Sequence, residues 1–313
     1  MGRARSDGII ILGVPRSGTT LLRRLLNWRP DVHCGGETFL LTSAARFLRS
    51  DKIVGGIDYG VIGGLRAAGI APETLLGDLR EFVGGYFRQL AGAAGKPRWA
   101  SKTAIDSFYV AEIEQLFAGH AQFVCIVRHG LDSVLSLKEL CDANESYVRE
   151  IHEYIVRHSS PLEAFAHLWS DVTGSLLDFA ARNAQSALVL RYEDLVREPD
   201  ETLARLTGFL GLAPGHALLD ALHQDAPSGL GDWKTYGKTE PNADSIGRWQ
   251  AMNAETRMPA LGLNDADAKA VTLYLTTLKS MTTEEDTQKA AAAAAAEKAE
   301  AEKAAAKAKE EKA

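Results

Sequence analysis

Only three cysteines, Cys34, Cys125 and Cys141, occur in 313 residues. An odd number without metal-site spacing, one of them inside an apolar run, excludes a disulfide scaffold and points to reduced, structural thiols. Positive charge is not in excess either: 35 Lys and Arg against 41 Asp and Glu leave a formal net charge of -6. That excludes a broad basic field for nucleic acid, so any cationic site must be local. No apolar run approaches the ~18 residues of a membrane span. Seven residues precede the first predicted strand, so no signal peptide or anchor is expected. The expectation is a cytoplasmic protein with neither a membrane nor a nucleic-acid partner. At 46% hydrophobic residues the chain can still bury the core of one large α/β domain.

The stretch that organises the rest is Gly8–Trp28, GIIILGVPRSGTTLLRRLLNW. Ile9 to Leu12 are apolar without alternation, the pattern of a strand buried on both faces. Leu21, Leu22, Leu25 and Leu26 fall on one face of a helix that Pro30 stops. Strand, glycine loop and helix start together present free N–H groups, a site for an anion, most often phosphate. Gly13, Gly18 and Thr20 fit the nucleotide pattern G-x-x-x-x-G-K-[ST], but Thr19 stands in place of the lysine and a cation, Arg16, appears inside the loop. ATPases and GTPases need that lysine and magnesium, so this is a phosphate cradle rebuilt for other work.

The run V-P-R-S-G-T-T-L-L-R, with R-P-D-V-H-C-G-G-E-T at residues 29–38, resembles the opening of sulfotransferases that use 3′-phosphoadenosine 5′-phosphosulfate (PAPS). Within that superfamily it is most similar to the protein-tyrosine sulfotransferases and their bacterial relatives, over residues 8–250. The resemblance implies PAPS as co-substrate and no metal. It also implies a P-loop-like, doubly wound parallel sheet flanked by helices.

Further strands are predicted at Arg98–Thr103, Phe123–Val127 and Ser186–Arg191. Helices are predicted at Pro72–Leu90, Ser107–Phe117, Pro161–Arg182 and Glu201–Leu210. The Gly-rich piece from Gly55 to Gly69 reads as a mobile loop. Alternating strands and helices give a parallel sheet whose ligands sit at the strands' carboxyl ends. Arg16, Lys102, Arg128 and Tyr192 each end or follow a predicted strand and should converge on one edge. The strand at residues 123–127 ends in Arg128, where a magnesium NTPase commonly has a metal-holding Asp, so a second, metal-free anion site is expected. From Thr282 the chain is nearly all Ala, Glu and Lys. Residues 281–313 therefore read as a helical or disordered tail outside a domain of residues 1–280.

Sulfuryl transfer, like phosphoryl transfer, needs positioning and charge stabilisation in an in-line displacement. By resemblance, Arg16 with Ser17, Gly18, Thr19 and Thr20 holds the leaving phosphate, Lys102 assists departure, and Glu37 is the general base. Arg128, Ser136 (eight residues on), Tyr192 and Lys238 complete the nucleotide set. His33 and His129 stand as rival bases, and Ser245 and Arg248 as braces of the last core helix. Basic residues that follow the Glu-Thr pair in the peptide enzymes are replaced by Phe39-Leu-Leu-Thr-Ser43, which suits a more apolar acceptor. The expected partner is a hydroxyl-bearing small molecule, glycan or peptide, and a homodimer stays open. A magnesium-dependent P-loop kinase and a non-catalytic nucleotide-binding module with a docking tail are the alternatives.

Overall fold

The structure, a computed structural model, describes residues 8–50, 53–54, 57–213 and 243–251. Lys238 and the 281–313 tail lie outside the described residues. In chain order the strands are β1 (Gly8–Leu12), β2 (Val32–His33), β3 (Ile53–Val54), β4 (Ile57–Asp58), β5 (Arg98–Lys102), β6 (Ala121–Val127) and β7 (Ala187–Arg191). The helices are α1 (Thr19–Trp28), α2 (Leu40–Leu48), α3 (Val61–Ala67), α4 (Pro72–Ala93), α5 (Val110–Phe117), α6 (Gly130–Asn144), α7 (Arg149–Ile155), α8 (Pro161–Arg182), α9 (Tyr192–Arg197) and α10 (Pro199–Leu210).

Among the described residues one sheet has the order β2-β5-β1-β6-β7, and every pairing in it is parallel. Central β1 is buried at all five residues, as its unbroken apolar run requires. Its two faces feed different layers. Ile9 and Ile11, with Val124, Ile126 and Leu190, meet Leu22, Leu25 and Leu26 of α1 and Leu206 and Leu210 of α10. The opposite face carries Phe123, edge-on to Phe179 of α8 at 4.8 Å, and Trp99, stacked on Phe87 of α4 at 4.9 Å. Each such side chain taken fully out of water contributes ~1.5–3 kcal/mol. The chain steps from β1 to the β2 edge, returns through β5, then crosses β1 to reach β6. That reversal opens a crevice at the carboxyl end of β1.

Two sequence expectations are corrected. Residues 61–67 of the expected loop form α3. Glycine disfavours helix by ~1 kcal/mol per residue, but here Gly69, at φ 85, ends the helix: Ile70 N–H donates to Leu65 O (2.9 Å) and Gly69 N–H to Arg66 O (3.0 Å), the Schellman pattern. The helix expected from Ser107 is a 3₁₀ segment, Ala104–Tyr109, before α5. Ser107 is drawn to the loop after β1, where its hydroxyl accepts from Gly13 N–H (2.7 Å) and donates to Gly13 O (2.9 Å). The end of α1 is as expected: it stops at Trp28, because the residue before Pro30 is pushed out of helical geometry and Arg29 is extended.

Candidate active site

The loop between β1 and α1 is held by its own backbone. Ser17 N–H and Oγ both donate to Val14 O (3.0 and 2.7 Å). Gly18, the residue capping α1, sits at φ 94, and a Cβ there would lie 2.3 Å from the Tyr192 ring. Only glycine serves both demands. Thr19 and Thr20 begin α1 with no acidic residue in its first turn, so no residue of that turn offsets the positive helix end. Arg16 also adopts a left-handed conformation, φ 77, and its Nε donates to Ser136 Oγ at 3.0 Å.

Two constellations flank this loop. On the β5 side, Lys102 at the strand end donates from Nζ to Thr20 Oγ1 (3.0 Å) and to Glu37 Oε1. Its side chain is 2% exposed against 14% for Glu37. Behind them lies Asp106, wholly buried, whose Oδ1 accepts from Thr42 of α2. Burial is the main cause that pushes its carboxyl up to about 7, with the Glu37 charge adding and Lys102 opposing.

On the β6 side, Arg128 donates from Nη1 to Arg16 O (2.9 Å) and from Nη2 to Ser245 O (2.5 Å), and its guanidinium lies 4.7 Å from the Tyr192 ring centre. Among the described residues no carboxylate pairs with it directly. Asp132, the natural candidate, is occupied by backbone N–H groups of Gly247 (2.8 Å) and Trp249 (3.0 Å). Burial lowers the Arg128 pKa, against the opposing pull of Tyr192, Asp132 and Glu193. Nε of Arg128 is buried without a hydrogen-bond partner, a donor left for a ligand.

The structure therefore brings together Arg16, Ser17, Gly18, Thr19, Thr20, Lys102 and Glu37, and beside them Arg128, Ser136 and Tyr192. Ser136 meets Arg16 rather than Arg128. The rival histidines sit on other elements. His33 ends edge strand β2, its pKa lowered by burial and then by Lys96. His129 stacks on Trp249 at 5.2 Å, and its backbone N–H donates to Glu193 Oε1 (2.9 Å). Ser245 does more than brace a helix: its hydroxyl pairs with Tyr192 OH at 2.7 Å while its carbonyl holds Arg128. Arg248 pairs with Glu139 of α6. Sequence reasoning missed Ser107, Asp106, Thr42 and Trp169, whose Nε1 donates to Arg128 O at 3.1 Å. The available signal was pairs of polar residues set between apolar ones, Thr42-Ser43 and Asp106-Ser107.

A family model described as "Sulfotransferase family" matches residues 8–214. The chain belongs to the sulfotransferase family. This sulfotransferase is 26% identical over 217 residues to a putative protein-tyrosine sulfotransferase of Caenorhabditis briggsae, covering 67% of this chain and 68% of that protein. It is 27% identical over 259 residues to nodulation protein NoeE of Sinorhizobium fredii, covering 77% of this chain and 59% of that one. The chain thus spans about three fifths of NoeE. Among solved structures, the sulfotransferase domain from the curacin biosynthetic pathway shares the fold, with a TM-score of 0.55, 19% identity and coverage of 83% of this chain and 98% of that one. Family membership decides against the kinase and the non-catalytic module.

Proposed function

We propose that this sulfotransferase moves a sulfuryl group from PAPS to a hydroxyl of an acceptor with an apolar surround, phenolic or alcoholic, and that Glu37 is the base. The observation that carries this reading is Lys102, which reaches the first turn of α1 through Thr20 and the Glu37 carboxylate at once. Charge for an anion and a proton acceptor thereby meet at one point. Bound PAPS supplies the sulfuryl group and its phosphate leaving group.

The chain's own residues do the rest. Backbone N–H groups of Ser17 to Thr20, with Arg16 and Lys102, stabilise charge as it builds on the departing phosphate. Glu37 accepts the acceptor's proton as its oxygen bonds to sulfur and the sulfur–phosphate oxygen bond breaks. Arg128, with its partnerless Nε, and Ser136 receive the 3′-phosphate, while Tyr192 and Lys238 complete the nucleotide contacts. In support, Arg128 is buried, held by two carbonyls and a ring, and has no direct carboxylate partner among the described residues.

The relatives named as protein-tyrosine sulfotransferases favour a phenolic hydroxyl. Phe39, directly ahead of α2 and held at φ 56, and Leu40 favour an apolar carrier over an acidic peptide. A cytoplasmic setting belongs to the same reading, in keeping with the burial of all three cysteines. The deciding experiment is thermal melting with 3′-phosphoadenosine 5′-phosphate. At a hundred times its dissociation constant it should add about 2.7 kcal/mol, and ATP, which lacks the 3′-phosphate, much less. Equal stabilisation by both would overturn the assignment of Arg128 and Ser136.

A further inference from the structure

A second site lies at the start of α8. His158, in the turn before the helix, and Glu163 and His167, four residues apart on it, place one donor atom each within 4.8 Å of one another. The spacing is no accident of a loose surface. Ser160 caps α8 by accepting from Glu163 N–H (3.3 Å), with Pro161 at the first helical position. Glu163 Oε2 accepts from Ser159 N–H (3.2 Å) and Ser159 Oγ (2.5 Å). That leaves the other oxygen, Oε1, turned towards His158 Nδ1 at 3.7 Å. The two imidazoles of His158 and His167 are stacked, ring centres 4.2 Å apart and planes 12° from parallel. Capping needs one carboxylate oxygen and Ser160; it does not need two histidines stacked beside the second oxygen.

We infer that His158, Glu163 and His167 form a binding site for a borderline divalent cation, Zn²⁺ being the biological representative. Two nitrogens and one oxygen are the donor set of Zn²⁺, Co²⁺ or Ni²⁺, whereas Mg²⁺ and Ca²⁺ take oxygen throughout. A tetrahedral ion with ~2.1 Å bonds wants donors ~3.4 Å apart, so the three need only draw together by a rotamer adjustment. Side-chain exposures of 20% for His158 and 29% for Glu163 leave room for water at the remaining position. The site clips the turn before α8 onto that helix's first two turns. It stays clear of the nucleotide groups: Trp169, which holds Arg128 O, lies two residues and ~200° round the helix from His167. The inference does not rest on the PAPS reading and stands or falls without it.

The test uses the untagged full chain, stripped with EDTA and titrated with Zn²⁺ by calorimetry and with Co²⁺ by visible absorption. One equivalent should bind, with a rise in melting temperature. His158→Ala, His167→Ala and the shape-preserving Glu163→Gln should each raise the dissociation constant more than about tenfold, since even outer-shell changes cost 10–100-fold, and abolish the Zn²⁺-dependent rise in melting. His158 lies outside the helix, so its replacement keeps the test alive should the others unfold α8. Absence of binding by the wild type, or unchanged affinity in all three variants, would overturn the assignment.

Discussion

The two sides of the loop after β1 are both cationic, yet they are built on opposite plans. Among the described residues the Lys102 ammonium bonds only to side chains, Thr20 and Glu37, on a flexible stem whose partner is itself a charge. Arg128 bonds to main-chain carbonyls of Arg16 and Ser245 and lies against Tyr192. A lysine paired with a carboxylate can exchange partners when a substrate arrives, because a hydroxyl or sulfonate replaces what it releases. An arginine fixed by backbone keeps its position whatever binds, and with no direct carboxylate partner among the described residues it keeps a donor, Nε, for an anion. On the proposed reading, one side serves transfer and the other anchoring.

The sharpest way to break that contrast is Glu37→Gln, which keeps shape and removes the proton acceptor. Turnover should fall about 10²–10⁴-fold with nucleotide affinity little changed. Near-normal turnover here, with loss in His33→Ala or His129→Ala, would move the base to that histidine and end the contrast.

Asp106 offers the next largest effect, on stability. Its carboxyl rises from 3.8 to about 7 in the fold, so the unfolded chain binds fewer protons than the folded one between those values. Stability should therefore be fullest below about pH 4 as far as this group is concerned, and decline through about pH 7 by on the order of a few kcal/mol. Urea unfolding across that range should show the decline, and Asp106→Asn should flatten it. An identical slope in the variant would mean that Asp106 is ionised throughout.

Arg128→Ala should act on binding. Loss of a charge-assisted hydrogen bond, ~1.5–3 kcal/mol, predicts about ten- to hundredfold weaker affinity for 3′-phosphoadenosine 5′-phosphate, read by calorimetry, and a raised KM at saturating-acceptor turnover near normal. Should turnover collapse instead while affinity holds, the two sides do not divide the work as drawn. Smallest of all is removal of residues 286–313. That Ala, Glu and Lys stretch has no large apolar residue to bury, so melting temperature and nucleotide affinity should stay nearly constant. A drop of several degrees would show that the tail packs on the domain.

Much of this was written in local sequence. The apolar runs at Ile9–Leu12 and Phe123–Val127 could only be strands buried on both faces, and both are. The strand-to-loop placement of Arg16, Lys102, Arg128 and Tyr192 put all four at one sheet edge because parallel strands share a direction. Helix α8 kept its predicted bounds, since Ser160, Pro161 and an apolar stripe all act within a few residues.

What local sequence could not decide depended on neighbours distant in the chain. β2 is two residues long and is a strand only because β5 lies beside it. Ser107 leaves an α-helical path for Gly13, ninety-four positions away. Asp106 owes its raised pKa to burial that only the packed fold creates. The pairing of Lys102 with Glu37, and of Arg128 with two carbonyls instead of a carboxylate, was likewise chosen by tertiary structure. Residue type fixed which charges were present; the approach of separate segments in a water-poor crevice fixed which of them would meet.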